Sequence, residues 1–352
     1  MRLANVYRGG HLESFHRGSI VVVDSLGRLL AFAGDPASVT CVRSAAKPFQ
    51  ALPLLEYGGD EEFELTGEEI ALTCASHGGE AVHVAAAAGL LRKGDFDEED
   101  LLCGVHLPYD EKAAADLRAS GEQPSPLHNN CSGKHAGMLL ATRVMDVPNA
   151  NYIDGQHPLQ AVVRTTIADF AGLDGAEIPT AIDGCGVPAF FLSLHRAAYA
   201  YARLMATAEG AAGALDRYET SAGRVIEAMT AFPYFVAGAW SLTTPLIQAF
   251  GGDLIAKEGA EGFYAVAMAP NLVSTLTDRL KLADDCAIGI ALKIDDGSMT
   301  RGRNPVILKT LEILGCGVGD KPNLQRYREW PLRNVAGTLV GEVRAEFDLE
   351  FV

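Results

Sequence analysis

Two serines and two lysines stand where nucleophilic chemistry would need them. In Arg43-Ser44-Ala45-Ala46-Lys47-Pro48-Phe49, Ser44 and Lys47 are three residues apart, so on a helical turn they share a face within reach of a side-chain hydrogen bond. Pro48 has no N–H and is tolerated only in a first turn, which puts Ser44 at or beside a helix start. The partial positive charge there favours a developing serine alkoxide and disfavours a second positive charge on Lys47, and burial against Ala45, Ala46 and Phe49 works in the same direction. A neutral amine can then take the serine proton, leaving an oxygen able to attack a carbonyl carbon. The plain alternative is an N-cap serine next to a solvated lysine.

Ser76 is the second candidate. It follows the apolar run 71–75 and precedes His77-Gly78-Gly79, which reads as a strand turning sharply into a helix. Cys74-Ala75-Ser76-His77-Gly78 is one residue short of the G-x-S-x-G elbow, with Cys in place of the first Gly. The paired glycines would let backbone N–H groups approach an oxyanion. An ordinary helix cap is the competing reading. Lys257 ends the strand-like run 253–256 and enters the turn Glu258-Gly259-Ala260-Glu261-Gly262. It resembles, in position only, the K-T-G lysine of serine penicillin-recognising enzymes, but K-E-G stands here and no Ser-x-Asn occurs.

The stretch His128-Asn129-Asn130-Cys131-Ser132-Gly133-Lys134-His135-Ala136-Gly137 is not a phosphate loop, because His128 and His135 occupy the positions of the first Gly and the Ser/Thr. Asn129 and Asn130 offer donors and acceptors that suit an amide or amino acid. Asp183-Gly184-Cys185-Gly186 brings a thiol and a carboxylate between glycines. Cys131 and Cys185 with Lys134 or His135 could hold zinc, thiolates being its natural soft ligands. The other reading is two small buried cysteines without metal. His83, His106 and His195 lack partner spacing and read as structural or surface residues.

These groups must be positioned by a large core, and the chain can build one: of 352 residues 48% are hydrophobic and 21% charged. That excludes disordered, collagen-like and disulfide-scaffold classes. With 29 Lys and Arg against 45 Asp and Glu the net charge is −16, and no basic block occurs, which argues against nucleic-acid or anionic-membrane partners. No apolar run reaches the roughly 18 residues of a membrane span, and no signal-like apolar segment opens the chain, so the cytoplasm is the expected compartment. Seven cysteines, an odd number, fit reduced thiols. A hairpin is expected over 18–33 around Ser25-Leu26-Gly27, helices over 48–57, 80–92, 111–119, 134–144, 157–170, 188–205 and 214–231, and strands over 254–257, 263–268, 286–294 and 340–349. Strands at both ends with helices between predict a mixed α/β (α+β) fold, one sheet built from N- and C-terminal segments and an inserted helical region at roughly 80–250 within a single 1–352 unit.

Taken together these stretches resemble the asparaginase II family, the bacterial serine/lysine type grouped with the inducible Rhizobium enzyme. The likeness is carried by His16-Arg17-Gly18-Ser19, the segments around Ser44, Ser76, Asn130, Cys185 and Lys257 quoted above, and Ala291-Leu292-Lys293-Ile294-Asp295-Asp296-Gly297, in order from about residue 6 to 342. The resemblance implies a serine β-lactamase/glutaminase-like fold with a mainly antiparallel central sheet, a homodimer, and an L-asparaginase (EC 3.5.1.1) that converts L-asparagine to aspartate and ammonia. It implies two tandems, Ser44 with Lys47 and Ser76 with Lys257, and a zinc site of Cys131, Lys134 and Cys185. Arg43, His77, Asn130, His135 and Asp183 fall on motifs that line the pocket. The chain departs from the family pattern after Gly238, where Ala239-Trp240-Ser241 replaces an early Thr and a polar run. Ser44 is the expected nucleophile and Ser76 the alternative. A glutaminase or broader amidase shares every group named, and a silent zinc-stabilised amino-acid-binding protein is the reading from another class.

Overall fold

The structure, a computed structural model, describes residues 1–276, 280, 282 and 285–352. In chain order the strands are β1 (Arg2–Arg8), β2 (His11–Asp24), β3 (Leu29–Ala33), β4 (Val39–Cys41), β5 (Thr180–Ile182), β6 (Pro188–Ser193), β7 (Leu254–Glu258), β8 (Phe263–Met268), β9 (Ile288–Ile294), β10 (Trp330–Arg333), β11 (Leu339–Ala345) and β12 (Glu350–Phe351). The chain divides into two compact units: residues 1–45, 192–214 and 253–352, and residues 46–191 and 215–252. No helix among the described residues is long and apolar enough to cross a membrane.

The first unit is built on a nine-stranded sheet running β10-β11-β1-β2-β9-β8-β7, with β3 paired to β2 and β12 to β3. Every registered pair in it is antiparallel, for example Val21 opposite Ala291 and Lys257 opposite Ala265. The apolar run Ile20–Val23 is fully buried between β3 and β9, each side chain contributing about 1.5–3 kcal/mol of transfer free energy. The hairpin expected over 18–33 is present, with Gly27 at φ +84° closing the turn. One long helix, Leu194–Glu209, lies on β2, β8 and β9. A side chain at Gly289 would collide with the Ala198 carbonyl, so glycine there lets helix and sheet touch.

The second unit is helical. Its members are α1 (Lys47–Glu56), α2 (Gly59–Glu62), α3 (Gly67–Thr73), α4 (Ala81–Lys93), α5 (Glu111–Ser120), α6 (Ser132–Val144) and α7 (Pro158–Ala171); the Leu194–Glu209 helix of the sheet unit is α8; α9 (Glu219–Ala231), α10 (Pro233–Ala237) and α11 (Thr243–Phe250) complete the set. Helix α1 packs on α6, α7 and α9 and is buried along nearly its whole length, Lys47 and Gln50 included.

Two expectations are corrected. The run 71–75 is not a strand: a Thr66–Glu69 capping box starts α3 at Gly67, and Ile70, Ala71, Leu72 and Thr73 are its buried residues, so Ser76 follows a helix and the strand-to-helix elbow is absent. The segment 188–205 is not one helix. Pro188–Ser193 pairs with β5 as a strand, and the Ser193 hydroxyl, accepting the Arg196 N–H, starts α8 after it.

Candidate active site

Lys47 and Ser76 meet in the helical unit. The Lys47 Nζ donates to Ser76 Oγ at 2.9 Å and to the Ala75 carbonyl, and lies 3.2 Å from Cys131 Sγ. Both are almost inaccessible, at 1% and 2% exposure. Lys47 heads α1 and Ser76 begins the turn between α3 and α4. That turn is fastened from four sides. Ser76 N–H donates to Val236 O (2.9 Å), His77 N–H to Asn130 O (3.2 Å) and Asp110 N–H to Gly78 O (3.0 Å), while Glu80 Oε1 accepts the Ala239 N–H (3.1 Å). Gly79, at φ +78°, has the His128 carbonyl 2.8 Å from where a Cβ would stand, so no other residue fits without displacing that loop.

Ser44 lies three residues before Lys47 in a single 3₁₀ turn, Arg43–Ala46, that runs directly into α1. It is half-buried, unlike Ser76. Its neighbour Arg43 holds φ +47°, a left-handed conformation that a non-glycine residue adopts only when its surroundings impose it. Lys257, fully buried on β7 in the sheet unit, is 2.7 Å from the carboxylate of Glu258. Arg43, Ser44 and Lys257 belong to the sheet unit; the remaining candidates belong to the helical unit.

The predicted zinc residues converge. Cys131 stands at the N-terminus of α6, its N–H held by Asn129 Oδ1 (2.8 Å), and Asn129 in turn donates to the Cys103 and Gly104 carbonyls. Lys134 Nζ is 2.9 Å from Cys185 Sγ. The Cys185 thiol donates to Cys131, and this bond, helped against burial by Lys47 and Lys134, drops the Cys131 thiol well below its ordinary range; the same bond raises Cys185. Burial opposes the Lys134 ammonium, but the adjacent sulfurs and Asp183 outweigh it and raise the amine. His135, fully buried, binds the Tyr152 hydroxyl through Nδ1 at 2.6 Å, and its Nε2 has no hydrogen-bond partner. Burial presses its imidazole down to about 4. Among the described residues no three His, Cys, Asp or Glu side chains form a metal-holding group, so a metal here needs the Lys134 amine beside the two sulfurs. Glycines inside α6 bring it close: a Cβ on Gly133 would strike Leu72, and one on Gly137 would strike Thr73.

His77 points away from Ser76. Its Nδ1 accepts the Gly79 N–H (3.1 Å) and its Nε2 pairs with Ser132 Oγ (2.9 Å), and burial keeps the ring neutral by pushing it well below the ordinary histidine value. It therefore shapes the turn. Two groups absent from the motif reading surround it. Glu80 faces His83 Nδ1 at 2.7 Å, the Tyr234 hydroxyl at 2.9 Å and the Ala239 N–H; burial works against this carboxylate, but those partners hold it down to about 2. The second group is aromatic: His106 stacks on Tyr109, and Tyr109 meets Trp240 edge-on. Nothing in the spacing of these residues marks them, since 24 residues separate His106 from Asn130, whose backbone N–H it accepts. A groove of about 670 Å³ lined by Gly79, Glu80, Asp110 and His128 opens beside the Ser76 turn.

The family model described as L-asparaginase II matches residues 4–345, nearly the whole chain. No curated protein sequence matches. Among solved structures, the crystal structure of Mglu in its native form is 16% identical with a TM-score of 0.42, covering 86% of this chain and 66% of that one; in 4.3 M NaCl the values are 16%, 0.35, 83% and 59%. The chain thus spans somewhat less than two thirds of the length of these structures, and TM-scores this low bear on no functional assignment.

Proposed function

This chain belongs to the L-asparaginase II family of amidohydrolases, and from that premise we propose that it hydrolyses the side-chain amide of L-asparagine through an acyl-enzyme. The observation that carries the proposal is the buried amine of Lys47 hydrogen-bonded to a serine hydroxyl, that of Ser76, at 2.9 Å. Ser44, half-buried in the turn leading into α1, is the hydroxyl a substrate can reach, and it acts as the nucleophile with Lys47 as base. Ser76, 2% exposed and bonded to the same amine, holds Lys47 in position, and the amine returns the proton to the departing nitrogen. Attack forms the Ser44 ester and releases ammonia; water then frees aspartate.

A second assignment, Ser76 as nucleophile, is favoured by its direct bond to Lys47, the geometry a general base requires. Labelling with an electrophilic asparagine analogue followed by peptide mapping separates the two: modification on Ser44 is expected, and label confined to Ser76 reverses the roles. Ammonia release from asparagine and from glutamine, measured side by side, tests the substrate; preference for glutamine, or no release from either, removes the asparaginase reading.

Zinc fits the donor set of Cys131, Cys185 and Lys134, two soft sulfurs and an amine with the orphaned His135 Nε2 alongside. Bound there, it would supply a fixed positive charge that orients substrate and holds the Asn129–Cys131 segment. Asn129 already anchors that segment without it. Protein purified in zinc-supplemented medium is expected to carry about one zinc per chain by elemental analysis and to melt lower after chelation; metal-free protein with an unchanged Tm refutes the site.

A further inference from the structure

A recess of about 890 Å³ opens in the sheet unit where β10 and β11 meet the turn between β1 and β2, and none of the residues lining it is a candidate active-site residue. Its floor is apolar. Trp330 and Pro331 on β10 and Leu339 and Val340 on β11 supply it, Leu339 being 59% exposed. The Gly9-Gly10 turn forms a wall, fastened to β11 by Gly9 N–H to Val340 O at 3.1 Å. Both glycines hold a positive φ, and a Cβ on either would meet no atom within 4 Å, so this wall adds no side chain to the opening. Donors border the floor in excess of their partners. Arg333 donates one N–H to the Gly337 carbonyl (2.9 Å) and Arg326 one to the Tyr327 hydroxyl (2.6 Å), out of the five that a guanidinium carries. The half-buried Trp330 indole has no acceptor for its N–H among the described residues. Of the two carboxylates at the rim, Glu342 is tied to Arg344 and Glu329 has no ion pair among the described residues, so two guanidiniums answer to one carboxylate. On a chain of net charge −16 this is a local surplus of positive charge.

We propose that this recess binds a flat aromatic carboxylate, its ring over Trp330 and Leu339 and its charged group on Arg333 and Arg326. A guanidinium fork matches the two oxygens of a carboxylate, and the Trp330 N–H is a further donor at the floor. Flat rings gain from offset or edge-on contact with an indole. A small anion without a ring leaves the apolar floor wet, and a neutral ring leaves the guanidiniums without an acceptor, so charge and shape together select the class. The volume lies in the range of small-molecule sites and has room for a fused pair of rings. Binding here makes and breaks no covalent bond, and it stands whether or not the chain hydrolyses asparagine.

2-Naphthoate tests this on the intact chain. Trp240 and Trp330 are its two tryptophans, so protein labelled with nitrogen-15 gives two indole N–H resonances, assigned with Trp330→Phe. The Trp330 resonance is expected to move saturably, with a Kd of about 1 mM or tighter, while that of Trp240 stays in place; calorimetry is expected to return the same Kd. 2-Naphthalenemethanol, the same ring without the charge, and acetate, the charge without the ring, are each expected to bind about tenfold more weakly or worse. Arg333→Gln and Arg326→Gln change exposed side chains, so each is expected to leave the melt unaltered and to weaken naphthoate about tenfold. Should either variant fail to fold, the comparison of the three ligands on the wild type decides the matter. A Trp330 resonance that does not move, an alcohol or acetate that binds as tightly as naphthoate, or binding unchanged in both arginine variants overturns the site.

Discussion

Lys47→Met is expected to abolish turnover while leaving the protein folded. Removing a general base costs about 10²–10⁴ in rate, and here the amine contacts Ser76 and belongs to the first residue of α1, directly after the Ser44 turn, so a fall in kcat near the upper end, ~10⁴-fold, is expected with KM little changed. Methionine fills nearly the same volume, and an apolar isostere of a buried charged side chain is often tolerated. The exposed cost is the hydrogen bonds lost by Ala75 O and Ser76 Oγ, about 1–3 kcal/mol together. Ammonia release and a thermal melt on the same preparation check both statements. A variant that melts near wild type and keeps kcat within tenfold of it would remove Lys47 from the chemistry.

Glu258→Ala is expected to be the most destabilising single change in the sheet unit. Glu258, 3% exposed, neutralises Lys257 at 2.7 Å. It also supports Arg303, which is 2% exposed, lies over the Tyr264 ring at 5.1 Å, binds the neighbouring Asn304 amide oxygen through its side chain, and leaves Nη1 without a hydrogen-bond partner among the described residues. Burial lowers the Arg303 guanidinium, and Tyr264 and Glu258 pull against that. Deleting the carboxylate removes the ion-pair partner of Lys257 and a favourable charge from Arg303, a loss of about 3–5 kcal/mol and roughly 5–15 °C in Tm. Glu258→Gln, which keeps volume and an acceptor but not the charge, falls between. If the alanine variant melts within about 2 °C of the parent, the carboxylate is not what holds these cations in the core.

The two substitutions separate chemistry from architecture. Lys47 bonds to a hydroxyl and a carbonyl and lies beside the Cys131 sulfur, whereas Lys257 sits in an ion pair with the neighbouring carboxylate of its own β-strand. Similar residues in similar motifs thus carry different burdens, and a melt distinguishes them before any assay of activity.

Much of this molecule was readable from residue order alone. Local rules set the helices α4 to α7, because capping residues and apolar periodicity act within a few residues, and the alternating and fully apolar runs of β2, β7, β8 and β9 marked the sheet. The turn that leads into α1 was legible because Ser44, Lys47 and Pro48 constrain one another through one turn of backbone. The sequence could not say that the 71–75 run is helical, since a short apolar run fits either period, and the Thr66–Glu69 box that decides it lies upstream. Only tertiary structure decided that Lys47 bonds Ser76, 29 positions away, that Cys131 meets Cys185 across 54, and that His106, Tyr109 and Trp240 share one ledge. Those pairings are set by how α1, α3 and α6 pack, with Gly133 and Gly137 admitting the close approach, and packing of distant segments leaves no periodic trace in the chain.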